Sequence, residues 1–141
     1  MDIVAALTIT MTIFFYAPAA GGINGDLQMA DGTEARIGYC SCGPRYPFGT
    51  VFEIMVDMRP YGVPQAHECR DRGGKIGNHA LDIVIRTGDV KEDLRIARAW
   101  GKRRVPVRVW QNWEHYVAGR SGQAGQATLS EEDGYAPPPH R

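Results

Sequence analysis

The sequence predicts a mainly β protein: a small closed barrel of about six short strands, joined to one short helix and an irregular C-terminal tail. Glycine and proline, at 17 and 9 of the 141 residues, suit short strands connected by tight turns. About six strand patterns, but only one helical pattern, precede the tail. A closed barrel removes the exposed edges that so many short strands would otherwise leave.

The first strand is predicted over residues 6–16, where apolar and polar residues alternate with the strand period of two. One face holds Leu7, Ile9, Met11, Ile13 and Phe15, and the other holds Thr8, Thr10 and Thr12. The segment also resembles a secretion signal, because an apolar run ends in small residues. No basic residue precedes the run, which is rich in strand-forming residues and too short and too polar to span a bilayer, so we expect it to begin the fold.

Five further strands are predicted downstream, at residues 35–42, 50–58, 67–71, 80–85 and 105–110. A glycine-rich loop over residues 17–34 precedes them, and its length is typical of loops that serve binding. Pro106 indicates an edge or strand-start position for the last strand, because proline cannot donate to a ladder.

One helix is predicted, running from Val90 to Trp100. Asp89, with Glu92 three residues later, forms a start that resembles a capping box. Gly101 stands where a C-terminal stop belongs.

Beyond Trp113 the chain is poor in apolar residues and rich in glycine, glutamine and proline. Such a segment cannot build a core of its own. Residues 1–113 are therefore predicted to form the barrel domain, and residues 114–141 an extended or disordered tail, or one docked on a partner.

The charge composition argues against a nucleic-acid partner that is bound by phosphate neutralisation, because 16 Lys and Arg balance 16 Asp and Glu. Most of the cations are arginine, which favours planar hydrogen bonding over a diffuse positive field. The Arg-rich run 102–104 follows the predicted helix and is interpreted as a solvated face.

The densest cluster of chemical groups lies between His67 and Asp82. Asp71 leads into Gly73 and Gly74, which allow a ligand or another backbone to approach closely. Asp82 begins the next strand, so two carboxylates converge across one loop, as acid/base cleavage of a glycosidic bond requires. The plain alternative is that both aspartates accept backbone N–H bonds in a glycine-rich turn.

Four segments together resemble the three-aspartate (3D) domain, the double-psi β-barrel shared with the catalytic region of the lytic transglycosylase A family. They are Thr8-Ile9-Thr10-Met11-Thr12 leading to Tyr16, Pro47-Phe48-Gly49-Thr50, Asp71-Arg72-Gly73-Gly74-Lys75-Ile76 with Asp82 eleven residues after Asp71, and Ala97-Arg98-Ala99-Trp100-Gly101. The resemblance covers roughly residues 7–109 and depends on the order and spacing of all four segments.

By this resemblance, Asp82 matches the general acid and base of the lytic transglycosylases, and Asp71 matches a supporting carboxylate. The implied reaction is cleavage of the glycan β-1,4 bond of peptidoglycan, which is cell-wall degradation without a cofactor. Substrate contacts are predicted at Gly73, Gly74, Lys75, Trp110 and Trp113, the two tryptophans as surfaces that stack on sugar rings.

The sequence departs from the family pattern at three positions. Arg72 and Lys75 add two cations beside the proposed acid, and these are expected to lower the pKa of a neighbouring carboxylate. Cys42 stands where the family has its first aspartate. Only two of the three family aspartates are therefore present.

The three cysteines leave several arrangements open. Cys40 and Cys42 share one strand face, as do His67 and Cys69, and the family topology would bring the two strands together. A bridge from Cys40 or Cys42 to Cys69, a zinc site completed by His67, and buried thiols are the alternatives. The spacing is not a common zinc pattern, so no metal is predicted.

Two functions from different classes follow. The first is a peptidoglycan-directed barrel that binds or cleaves the glycan strand in the extracytoplasmic cell wall. The second is a non-catalytic structural protein of an assembly such as a phage virion, with residues 114–141 docked on neighbouring subunits.

Overall fold

The computed structural model describes residues 6–20, 27–73 and 76–124. Its regular elements are β1 (Leu7–Tyr16), β2 (Tyr39–Ser41), β3 (Val51–Ile54), β4 (Ala66–Asp71), β5 (Ala80–Val84), α1 (Val90–Trp100), β6 (Arg103–Trp110) and α2 (Trp113–Ala124). The mainly β prediction is confirmed. Within the described ranges, neither helix is long and apolar enough to cross a bilayer.

The six strands close into a barrel in the order β1-β5-β2-β4-β3-β6. β1 is parallel to β5 and β2 is parallel to β4, whereas the other four neighbouring pairs are antiparallel. Every strand thus has a partner on both sides, and the predicted closed barrel is confirmed. The parallel pairs bring residues distant in sequence to the same end of the barrel.

Alternation along β1 matches the prediction, since Met11 and Ile13 are fully buried in the barrel interior. Two smaller apolar clusters lie outside the main core. The segment 27–35 packs with Tyr39 and Val84, and α2 packs on Trp110. The segment that resembles a secretion signal therefore forms β1, which pairs with β5 and β6 in the barrel.

The predicted helix has the expected bounds, Val90–Trp100. The side chain of Asp89 accepts hydrogen bonds from the backbone N–H groups of Lys91 and Glu92, and Gly101 at φ 70° ends the helix. Glu92 pairs with Arg95 instead of reaching back to Asp89, so only half of the capping box forms. Within the basic run that follows, Arg103 donates to the last carbonyl groups of α1, as a helix C-terminus favours.

The prediction of extended or disordered chain after Trp113 is wrong as far as Ala124, because α2 occupies Trp113–Ala124. A side chain at Gly119 would lie 2.2 Å from the ring of Trp110, so this glycine lets the helix sit directly on the indole. Arg120 then pairs with the buried Glu53 of β3 at 3.0 Å. Residues 125–141 lie outside the described ranges.

Two strands, β2 and β3, are several residues shorter than predicted, and each is limited by a local contact. Gly38, at φ 100°, turns the chain just before β2. The side chain of Gln65 holds the segment after β3, accepting from the N–H of Met58 and donating to the carbonyl of Val56. Pro106 is not at an edge or a strand start, because β6 is paired on both sides. Its carbonyl accepts from the N–H of Met55, just past the end of β3. The N–H and C=O of a residue in such an antiparallel pair face the same neighbour, so the missing N–H of Pro106 faces chain beyond the end of β3.

Candidate functional site

Asp71 and Asp82 lie in one row across the outer face of the barrel. Ser41 of β2 is in register with Asp71 of β4 on one side and with Asp82 of β5 on the other. Asp82 is in turn in register with Phe14 of β1. Neighbouring strands are about 4.8 Å apart, so the row places the carboxylates two strand spacings apart with a hydroxyl between them. The sequence predicts that these carboxylates converge, and the barrel brings them together.

Asp71 is held in this row by a bulge and by backbone donors. The pairing of β2 with β4 shifts between Cys40 and Ser41, which sets Asp71 opposite Ser41. Its Oδ1 accepts from the N–H of Ala30 at 2.9 Å and from its neighbour Arg72 at 2.8 Å. Only the Arg72 donor belongs to the glycine-rich turn of the plain alternative, whereas Ala30 belongs to the segment 27–35, so that alternative is met in part for Asp71.

Asp82 has a different environment. Its Oδ1 is removed from solvent and has no hydrogen-bond partner among the residues that the structure describes. Burial, together with the negative charge of Asp71, raises the pKa of Asp82 to about 6. Asp82 therefore exchanges a proton close to neutral pH, whereas an ordinary aspartate is fully ionised there.

Arg72 does not act on Asp82 as expected. Its guanidinium lies 3.0 Å from the sulfur of Cys42, donates to the carbonyl of Tyr46 at 2.7 Å, and sits 4.3 Å from the ring centroid of Phe48. These contacts occupy its planar group. The expectation that Arg72 lowers the pKa of the proposed acid is wrong for Asp82, whose pKa is raised. Lys75, the second cation, lies outside the described residues.

The cysteine alternatives resolve into a disulfide between Cys42 and Cys69, with Cys40 free and buried. Because the disulfide occupies two of the three sulfurs, the zinc arrangement considered from the sequence does not form. No group of three or more metal-binding side chains occurs within the described ranges. Burial and the nearby Asp82 and Glu68 raise the pKa of the Cys40 thiol, which keeps it protonated.

His67 is a core residue and not part of the row. It is fully buried, and its Nε2 lies 2.7 Å from the carbonyl oxygen of Pro64. A carbonyl can only accept, so Nε2 carries the proton and Nδ1 is the bare nitrogen. Burial lowers the pKa of His67 to about 4, and the ring is neutral at physiological pH.

The loop between the two aspartates is shaped by close packing. The place of a side chain at Gly73 is taken by Ile76, whose Cγ1 would lie 2.4 Å from an added Cβ. Gly73 therefore serves the packing of the turn rather than a ligand on that side. Asn78 anchors the far end by accepting from the N–H of Arg45 at 2.9 Å. The other predicted contact in this loop, Gly74, lies outside the described residues, as does Lys75.

Trp110 and Trp113 do not line this row. Trp110 is 1% exposed, and its indole N–H donates to Glu53 at 3.1 Å, so the predicted surface contact with a sugar is wrong for this residue. Trp113 is half-buried against Tyr116, with ring centroids 5.0 Å apart. Trp110 follows Val109, which pairs with Leu7 at the start of β1, whereas Asp82 pairs with Phe14. Leu7 and Phe14 are seven residues apart along β1. That offset is roughly 23 Å along the strand.

Phe14 and Lys102 are neighbours of the row that the sequence reading missed. Phe14 is partly exposed on the face of β1 that also carries Thr8, Thr10, Thr12 and Tyr16. An aromatic residue that continues a polar face is the signal that identifies it. Lys102, just before β6, places its ammonium 5.8 Å from the centroid of the Phe14 ring.

Comparison with known proteins adds no family to this picture. A scan against protein-family models matched none, and a search of curated proteins gave no match. The resemblance to the three-aspartate domain therefore rests on the sequence segments themselves.

Proposed function

We propose that this chain is a peptidoglycan-directed barrel that cleaves glycan β-1,4 bonds, with Asp82 as general acid and base and Asp71 as its supporting carboxylate. The observation that carries the proposal is the environment of Asp82. Its pKa of about 6 and its unpartnered, dry oxygen are what a carboxyl group needs to hold a proton and then release it near neutral pH.

The proposed reaction uses one carboxyl group twice. Protonated Asp82 donates to the glycosidic oxygen, and the bond from that oxygen to the anomeric carbon breaks. The resulting carboxylate then takes the proton of a hydroxyl group on the same sugar, whose oxygen forms a bond to the anomeric carbon. No water is consumed, the sugar ends as an anhydro product, and Asp82 is again protonated.

Asp71 supports this step through its charge. Its carboxylate is fixed by two backbone N–H groups, and its negative charge contributes to the raised pKa of Asp82. In the transition state the same charge offsets the positive charge that develops on the sugar. Two carboxylates in unequal surroundings are typical of acid/base sites.

An extracytoplasmic location is consistent with this proposal, since disulfides such as Cys42–Cys69 persist outside the reducing cytoplasm.

One observation favours the second candidate, a non-catalytic structural component of a virion or similar assembly. Cys42 stands at the place of the first family aspartate and forms the disulfide, so only two of the three family carboxylates are present. Against this candidate, the described part of the tail, α2, packs on the chain's own barrel, where Arg120 pairs with Glu53.

The test is release of soluble muropeptides from purified peptidoglycan, read by mass spectrometry. The wild-type protein should release products that are one water lighter than hydrolytic fragments, and Asp82→Asn should reduce the rate by about 100-fold or more. Asp57→Asn is the matched control, because Asp57 is exposed and pairs with Arg59, two residues along the chain. No product from the wild-type protein, where a known wall-cleaving enzyme works, would overturn the catalytic proposal.

The pH dependence adds a second readout. Because the acid must be protonated, the rate should fall as pH rises above about 6, the pKa of Asp82. Asp71→Asn removes a charge that raises this pKa, so the falling limb should move to lower pH. A limb that stays in place in Asp71→Asn would exclude the coupling between the two carboxylates.

A further inference from the structure

An aromatic ring lies beside Asp82 without a role in the described core. Phe14 and Asp82 are register partners on the parallel strands β1 and β5. Its ring belongs to none of the three apolar clusters formed by the residues that the structure describes. Most outward positions on β1 are threonines, so the sheet alone does not call for an aromatic side chain here.

A cation stands at the far side of this ring. Lys102 is exposed, and its ammonium lies 5.8 Å from the Phe14 centroid. The order across the face is therefore carboxylate, hydroxyl, carboxylate, phenyl ring and ammonium, from Asp71 to Lys102. We call Phe14 and Lys102 together the aromatic arm of the site.

We infer that the aromatic arm binds the sugar next to the cleaved bond and selects glycans whose sugars carry a carboxylate. The inference rests on the proposed function, which it deepens by assigning the residues that contact the adjoining sugar and distinguish acidic from neutral glycans. Apolar C–H faces of a pyranose ring stack on an aromatic side chain. The spacing of neighbouring strands, about 4.8 Å, is close to the length of one pyranose unit in a β-1,4 glycan, so a bond at Asp82 sets the adjoining ring over Phe14.

Lys102 supplies the selection for charge. Its four-carbon stem is flexible and the residue is exposed, so the ammonium can leave the ring for a carboxylate, which is the stronger partner. The lactyl carboxylate of N-acetylmuramic acid is such a group. A neutral chitin-type oligosaccharide would stack on Phe14 but gain nothing from Lys102.

The experiment measures binding in the Asp82→Asn background, where cleavage does not interfere. The probes are soluble glycan fragments that contain N-acetylmuramic acid and, for comparison, oligosaccharides of N-acetylglucosamine alone. Phe14→Leu should weaken binding of both probes about tenfold, because it keeps an apolar strand residue but removes the aromatic face. Phe14→Trp keeps an aromatic face and should bind both probes about as tightly as the Asp82→Asn parent, which separates loss of stacking from damage to the fold.

Phe48→Leu is the matched control, since Phe48 is also an exposed phenyl ring beside a cation, with Arg72 at 4.3 Å, but is not in register with Asp82. It should leave affinity unchanged. Lys102→Met should remove the preference for the acidic glycan and its salt dependence, and Lys102→Arg should keep both.

Equal affinity of Phe14→Leu and its parent would overturn the inference, and so would absence of any preference for the acidic probe. Failure of the Asp82→Asn parent to bind either glycan would overturn it as well. Cleavage by the wild-type protein is scored separately by anhydro-product release, so the proposed function can stand while the aromatic arm fails.

Discussion

Glu53 and Asp82 are both acidic residues on barrel strands, and the two ends of the molecule surround them differently. Glu53 on β3 is 3% exposed and accepts from the indole N–H of Trp110 at 3.1 Å and from Arg120 at 3.0 Å, with Arg108 at 3.5 Å. Asp82 on β5 has one buried oxygen without a partner in the described part of the chain, and burial together with a neighbouring carboxylate raises its pKa.

The difference separates a carboxylate that serves the fold from the one to which we assign the proposed chemistry. A buried charge is tolerated when donors surround it, as at Glu53. A carboxyl group that is buried without hydrogen-bond donors beside a like charge lowers the stability of the fold, and such a loss is typical of functional sites. We therefore expect removal of the two charges to change stability in opposite directions.

The largest effect on stability should come from loss of the Cys42–Cys69 disulfide, which lies next to Asp71 in the chain. Cys42→Ala with Cys69→Ala opens a loop with a sequence separation of 27 and should lower the free energy of unfolding by about 3.5 kcal/mol. Because Cys69 lies two residues before Asp71, amide-exchange protection should fall more at Arg72 than at residues around Glu53. A uniform loss of protection would show that the two regions do not differ in local stability.

Glu53→Gln should lower the free energy of unfolding by about 3 kcal/mol, measured by urea titration, because Arg120 and Arg108 lose the charge they face. Glu92→Gln is the control. It breaks an exposed, solvent-screened pair with Arg95 and should leave the urea transition where it is in the wild-type protein. Equal effects of the two substitutions would contradict a structural role for Glu53.

His67 should make the whole fold sensitive to acid. Its pKa is about 4 in the folded chain and near 6.5 when unfolded, so the unfolded state binds a proton first as pH falls. Stability from this residue is complete above about pH 6.5, and up to about 3 kcal/mol is lost as pH falls toward 4. Urea titrations should be made in the Asp82→Asn background, because the raised pKa of Asp82 gives the wild-type protein an opposite pH dependence over the same range. In that background the loss should appear as pH falls, and adding His67→Gln should remove it; a dependence that persists there would assign it to another group.

Local patterns in the sequence predicted much of the fold. The alternation of Met11 and Ile13 within β1 and the cap at Asp89 depend on neighbours in the chain, and both were confirmed. The helix α2 could not be predicted in this way. Its Gly119 argues against a helix until the ring of Trp110 is seen in the space that a side chain would take.

The candidate site was accessible from sequence only in part. The pair of aspartates followed from spacing and resemblance, and Cys42–Cys69 was one of the open pairings. The raised pKa of Asp82 was not predicted, because the direction of the Arg72 side chain depends on the disulfide and on Tyr46. Burial of Trp110 depends likewise on α2, which packs from beyond the barrel.

The most direct test of the contrast between the two carboxylates is the free energy of unfolding of Asp82→Asn relative to wild type, measured against pH. The folded-state pKa of Asp82 is raised to about 6, so its ionised form destabilises the fold above that pH. Asp82→Asn should be more stable by about 3 kcal/mol at pH 7.5, and the advantage should vanish as pH falls toward 4. Equal or lower stability of Asp82→Asn at pH 7.5 would show that Asp82, like Glu53, serves the fold.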